Sequence, residues 1–164
     1  AVLILLYLHD GQLYFPLTRR AERLARHKAE VALPGGAQER DDHSLWDTAV
    51  RETFEEIGVE PHTVCRLGSL STLYVPASNF EVHPFVGHVR YRPTFMLDAS
   101  EVAELIEFPL HTILDADARA EEQRYIRGYP VQVPFYRYKQ HKIWGATAMI
   151  LSELEVALAT VLSA

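Results

Sequence analysis

The chain predicts an α/β (α+β) fold with helices packed on a mixed central sheet. Three observations predict it. An apolar run over residues 1–8 ends in Asp10-Gly11, a dipeptide typical of tight hairpins. Residues 44–57 carry Trp46, Val50, Thr53, Phe54 and Ile57 in one helical stripe. A second helical pattern, with Ala148, Ile150, Leu151, Leu154 and Leu158, closes the chain over about 147–161, and strand-like runs fill the interval.

Each element has its own warrant. Residues 1–8 predict a buried strand, and 12–18 its hairpin partner. Residues 19–30 are charged and predict a loop. Residues 31–33 predict a short strand before Pro34-Gly35-Gly36. Asp41, Asp42 and Ser44 offer N-caps for a helix over about 44–57, and Gly58 is a natural terminator. Strands follow near 64–74 and 80–90, around the turn-rich Val75-Pro76-Ala77-Ser78-Asn79. Residues 101–108 predict a strand leading into a short helix after Pro109. Residues 115–124 are polar and predict an exposed segment; residues 131–138 predict a strand. No repeat or linker divides the chain, so residues 1–164 are expected to form one domain.

Composition narrows the function classes. The 164 residues are 48% hydrophobic and 23% charged, ordinary for a globular domain. A formal net charge of −6 argues against a general nucleic-acid binder. It leaves room for an anionic substrate, because a bound divalent cation reverses the local field. Cys65 is the single cysteine, so no internal disulfide can form, and a reducing, cytoplasmic setting is expected. No apolar run is long enough to span a membrane. Residues 1–8 lack the basic start and cleavage site of a signal peptide. Cys65 is expected to be buried in a strand.

The most informative stretch is Arg51-Glu52-Thr53-Phe54-Glu55-Glu56-Ile57-Gly58-Val59. On a helix, Glu52, Glu55 and Glu56 fall within about 100° of one another, roughly opposite the apolar stripe. Like charges at this spacing destabilise a helix. A cation between them relieves the repulsion, and clustered hard oxygens suit Mg²⁺ or Mn²⁺. The bland alternative is a solvated helix face. Arg51 lies four residues before Glu55 and can hold a carboxylate bidentately.

With Gly36 upstream, this segment resembles the signature of the Nudix hydrolases, G-x5-E-x7-R-E-U-x-E-E-x-G-U, with U aliphatic. Thr53 takes one aliphatic place. His43 fills the early glutamate position, one residue further from Gly36 than the pattern has, and Asp42 beside it is a candidate stand-in. His43 itself is read as a helix cap. Residues 17–36, Leu-Thr-Arg-Arg-Ala-Glu-Arg-Leu-Ala-Arg-His-Lys-Ala-Glu-Val-Ala-Leu-Pro-Gly-Gly, resemble the upstream motif of the coenzyme A pyrophosphatase branch. Arg20, Leu24, Arg26, His27, Val31, Pro34, Gly35 and Gly36 fall in register. Ala29-Glu30 replaces Gly-Gln and Ala21 replaces Ser. Pro84-Phe85-Val86-Gly87 and Ile143-Trp144-Gly145-Ala146-Thr147-Ala148 also look like that branch.

The resemblance implies an α/β/α sandwich and a Mg²⁺-dependent, or Mn²⁺-dependent, pyrophosphohydrolase. It implies Glu52, Glu55, Glu56 and a carbonyl of the diglycine turn, here Gly36, as metal ligands. Glu52 is the first choice of general base, with Glu101 and Glu104 behind it, and Arg51 is an orienting partner. Arg20, Arg26, His27, Lys28 and Gly35 are expected at the substrate; Arg19, Arg23 and these cations make a basic segment in an acidic chain. The implied substrate is coenzyme A or an acyl derivative, giving 4′-phosphopantetheine and adenosine 3′,5′-bisphosphate. The alternatives are another nucleoside diphosphate derivative, such as a dinucleotide, ADP-ribose or a sugar nucleotide, or a catalytically silent binding module. The reading includes no nucleic-acid or membrane partner and admits a homodimer. Trp144-Gly145 is expected to pack the last helix against the sheet.

Overall fold

The opening hairpin is formed by β1 (Val2–His9) and β2 (Gln12–Arg20), which turn on Asp10 and Gly11 at φ of 49° and 77°. In the computed structural model, which describes residues 1–21, 30–76, 78–126 and 128–162, β2 runs past Thr18. Arg19 and Arg20 therefore belong to a strand and not to the predicted loop. Their backbone is held by pairing: Arg19 lies opposite Val31 on one edge and Glu104 on the other.

The remaining elements are β3 (Val31–Ala32), α1 (Leu45–Ile57), β4 (Cys65–Ser69), β5 (Leu73–Val75), β6 (Phe80–Val82), β7 (Pro84–His88), β8 (Val102–Pro109), β9 (Arg119–Ile126), β10 (Tyr129–Tyr138), β11 (His141–Trp144) and α2 (Gly145–Leu162). The central sheet has the order β3-β2-β1-β7-β4, with β8 on the other edge of β2. β1 and β7 are parallel and the other pairs antiparallel, so the sheet is mixed as expected.

Alternation along β1 sorts the core onto two faces. Leu3, Leu5 and Tyr7 meet Ala49, Val50 and Ile57 of α1, while Ile4 belongs with Leu151 and Leu154 of α2 on the opposite face. Each fully buried Leu or Ile contributes roughly 1.5–3 kcal/mol relative to exposure. The sheet is thereby sandwiched between its two long helices, and α1 is fixed with its carboxylates turned away from the apolar cluster.

Several expectations need correction. Residues 115–124 are not simply an exposed polar segment, because β9 starts at Arg119 and forms the edge of a three-stranded sheet, β11-β10-β9. Its charged sequence is what an edge strand carries to discourage pairing with other chains. β11 was not foreseen. The two-residue turn before it puts Lys139 at φ 53°, without the Gly or Asn that would announce a hairpin. The strand expected near 64–74 is split into β4 and β5, and that near 80–90 into β6 and β7; β5 and β6 pair as a separate hairpin. Cys65 lies in a strand but is exposed.

Candidate metal-binding and active site

Ser44 starts α1. Its backbone is extended (φ −152°, ψ 166°) and its hydroxyl accepts from the Asp47 N–H at 3.2 Å. His43 is therefore not the cap. Gly58 ends the helix in the left-handed region, φ 76°, and donates to the Phe54 carbonyl at 2.8 Å. Thirteen residues are thus held in register, and the three glutamates emerge along one side in three different environments.

Glu56 is the deepest, 3% exposed, and its Oε2 has no hydrogen-bond partner. Burial pushes its carboxyl up to about 8; Arg20 draws it down, while Glu52 and Glu101 raise it further. The Gly35 N–H also draws it down. Glu52 is half-buried, and its carboxyl is likewise raised, by burial first, with Arg51 opposing. Glu55 is exposed and accepts from Arg51 Nη1 at 2.9 Å.

The diglycine turn closes on these carboxylates. A Cβ at Gly36 would stand 2.4 Å from the Glu52 carboxyl carbon, so any larger residue would displace that carboxylate. Gly35 has φ 152° and pairs with Val2 of β1. The Gly36 carbonyl accepts from the Ala1 nitrogen at 2.7 Å. A carbonyl has two lone pairs, so a second contact remains open to it.

Arg51 organises the other side. It binds Asp42 with Nε and Nη2 at 2.9 and 3.0 Å, Glu52 with Nη1 at 3.1 Å, and the Ala37 carbonyl with Nη2 at 3.0 Å. Asp42 also accepts from Thr48 Oγ1 and the Glu39 N–H, both at 2.9 Å. The Arg51 hydrogen bonds hold the Asp42 carboxyl well below the usual carboxylate range. The candidate stand-in for the early glutamate therefore occupies the arginine, and the sequence signal was its distance from Gly36.

Of the remaining candidates, Arg20 reaches the cluster, with Nη1 3.8 Å from Glu56 Oε1. Glu101 lies close enough to raise both Glu52 and Glu56. Glu104 is turned elsewhere, bound to Arg19 Nε at 2.9 Å and His141 Nε2 at 3.1 Å, which leaves it poorly placed as a base. Arg23, Arg26, His27 and Lys28 lie outside the described residues.

An orphaned oxygen, two carboxylates whose proton affinity burial raises and an all-oxygen donor set fit a hard divalent cation. The described side chains form no ready-made group of three or more His, Cys, Asp or Glu in ligating positions.

The family profile described as the NUDIX domain matches residues 1–129. An uncharacterized Nudix hydrolase named NudL from Pectobacterium atrosepticum is 36% identical over 148 residues, covering 87% of this chain and 73% of the relative. A protein of the same name from Yersinia pestis is 38% identical over 138 residues, covering 84% and 69%. Among solved structures, the Nudix hydrolase RenU from M. smegmatis superposes with a TM-score of 0.66 at 14% identity, over 98% of this chain and 84% of its own. An Ap4A hydrolase from C. elegans gives 0.57 at 20% identity, over 71% and 84%. Both structural matches speak for the fold.

Proposed function

Because the chain belongs to the Nudix family of hydrolases, which open pyrophosphate bonds, we propose that it cleaves the diphosphate of coenzyme A or an acyl-coenzyme A. The products would be 4′-phosphopantetheine and adenosine 3′,5′-bisphosphate. One observation carries the hydrolytic reading: Glu56, buried, with Oε2 unpaired, set beside Glu52 and the Gly35-Gly36 turn. A protein with no cation to bind gains nothing from that arrangement.

Glu52, Glu55, Glu56 and the Gly36 carbonyl would hold Mg²⁺ or Mn²⁺. When bound, the cation neutralises phosphate oxygens and acidifies water. The chain's own residues do the rest. Arg51 fixes Glu52 and Glu55 in place, itself fixed by Asp42. Glu52, raised in proton affinity, takes the proton of the attacking water. Arg20 faces the cluster and receives phosphate oxygens that the carboxylates would otherwise repel. Glu101 is the nearest rival to Glu52 as base.

The coenzyme A assignment is supported by Arg20, Leu24, Arg26, His27, Val31, Pro34, Gly35 and Gly36, which keep the upstream motif's register. Ala29-Glu30, inside the same motif, favours a second reading, another nucleoside diphosphate derivative such as ADP-ribose or a dinucleotide. Purified protein with Mg²⁺ is offered coenzyme A, ADP-ribose and NADH, and the products are separated. Preferential release of 4′-phosphopantetheine supports the first reading; equal rates on all three remove it. A Glu56→Gln variant as active as the parent would remove hydrolysis at this site altogether.

A further inference from the structure

A cleft of about 560 Å³ is lined by Arg19, Glu104, Gln140, His141, Lys142 and Trp144. None of these belongs to the glutamate site, and three of them come from β11.

Its position follows from β2. Arg19 and Arg20 are neighbours in a strand and point to opposite faces, with an irregularity in the β2–β8 register between them. Arg20 goes to Glu56 and Arg19 to Glu104. The cleft thus starts at the strand position next to the one that serves the reacting end, on the other face of β2.

Its chemistry combines fixed cations with an aromatic plane. Glu104 clamps Arg19 at 2.9 Å and the buried His141 at 3.1 Å, so the Arg19 guanidinium is held in one orientation. Lys142 stands on the rim, in contact with Glu122. Arg124 lies 4.1 Å over the Trp144 ring and also holds Glu122 at 2.7 Å, which fixes that indole. Arg19, Lys142 and Arg124 outnumber Glu104 and Glu122, in a chain whose net charge is −6. A fixed guanidinium and an ammonium suit a phosphate, and an oriented indole suits the flat face of a base.

We propose that this cleft is a second anchoring site for a phosphorylated nucleoside, in which Trp144 stacks on the base and Arg19 and Lys142 bind a phosphate monoester remote from the diphosphate being cut. The inference rests on the reading of the glutamate site as a nucleoside diphosphate hydrolase. It makes the remote phosphate, and not only the diphosphate, a determinant of substrate choice.

Binding and turnover are tested separately. Isotope-labelled protein, free of divalent cations, is titrated with adenosine 3′,5′-bisphosphate and with 5′-AMP. The two indole signals, from Trp46 and Trp144, are assigned with Trp144→Phe. The bisphosphate is expected to move the Trp144 signal and to bind about tenfold more tightly than AMP, the advantage of one charge-assisted contact. Lys142→Ala, and independently Arg19→Gln, is expected to erase that advantage while AMP binding stays the same. With Mg²⁺, Lys142→Ala should raise KM for coenzyme A and leave that for its 3′-dephospho form unchanged, with kcat unaltered for both. An unmoved Trp144 signal, or equal affinity for the two nucleotides, overturns the cleft even if coenzyme A is hydrolysed. Selective bisphosphate binding without any hydrolysis leaves the cleft standing and overturns the hydrolase reading.

Discussion

Arg51 holds Asp42 through two parallel hydrogen bonds, Nε to Oδ1 at 2.9 Å and Nη2 to Oδ2 at 3.0 Å, and passes that rigidity to Glu52 and Glu55 through Nη1. Asp42 is in turn fixed by Thr48 and the Glu39 N–H. The loop between Gly36 and α1 and the acidic side of α1 are therefore one mechanical unit.

Asp42→Asn should keep the fold but lose the bidentate pair, because an amide offers a carboxylate's geometry on one side only. Turnover is expected to fall by about 10- to 100-fold, the range seen when an outer partner of a metal ligand is removed. Asp42→Glu should recover part of it. Steady-state rates with circular dichroism as the folding control decide this; an unimpaired Asp42→Asn would show that Arg51 needs no anchor.

Glu56 predicts an unusual pH dependence when cations are removed. Its folded carboxyl is raised to about 8 from an ordinary 4.5. Between those values the folded chain holds a proton that the unfolded chain has released, so stability falls as pH rises through the window. At about 1.4 kcal/mol per unit, the loss is at most about 5 kcal/mol. Melting temperature in EDTA should drop between pH 5.5 and 8.5, Mg²⁺ should restore it at the higher pH, and Glu56→Gln should flatten the EDTA curve. A flat curve for the unmutated protein contradicts the prediction.

Gly36→Ala places a methyl group where the Glu52 carboxylate now lies, at 2.4 Å. Glu52 is the end of a flexible side chain, so it will swing away and the fold will survive. The Mg²⁺ concentration for half-maximal rate is expected to rise by about tenfold or more, the loss of one good ligand contact. An unchanged requirement would mean that Glu52 does not serve the cation from this position.

Away from the site, the buried Tyr7 hydroxyl donates to Glu107 at 2.8 Å, and Arg92 binds the same carboxylate at 2.6 and 2.8 Å. Glu107→Leu leaves the phenol unpaired in the core, at a cost of roughly 1–3 kcal/mol. Denaturant unfolding should show that loss, while turnover per folded molecule stays near that of the parent.

The helix with its three glutamates was legible because two independent signals agree: an apolar stripe that buries Val50 and Ile57, and capping residues at Ser44 and Gly58. The division of labour among the glutamates was not. Glu55 and Glu56 are adjacent in sequence, yet one is exposed and paired with Arg51 and the other is buried with an unpaired oxygen. That difference is set by Arg20 and the diglycine turn, which come from other parts of the chain. Asp42 could be reached only by counting from Gly36 and not from Arg51. The Arg19–Glu104–His141 group left no trace in the sequence, since its members are 37 to 122 positions apart and only the pairing of β2 with β8 and the return of β11 assemble them.

β2 is zipped on both edges, to β1 and β3 along one and to β8 along the other, and its last residues carry the arginines that face the carboxylate cluster and the Arg19–His141 cleft. A segment so bound has no inexpensive way to fray. Its amides should be among the slowest to exchange with deuterium, and heat should abolish activity and structure at one temperature. Inactivation would then be an all-or-none event, with no loosened, idle species preceding the melt.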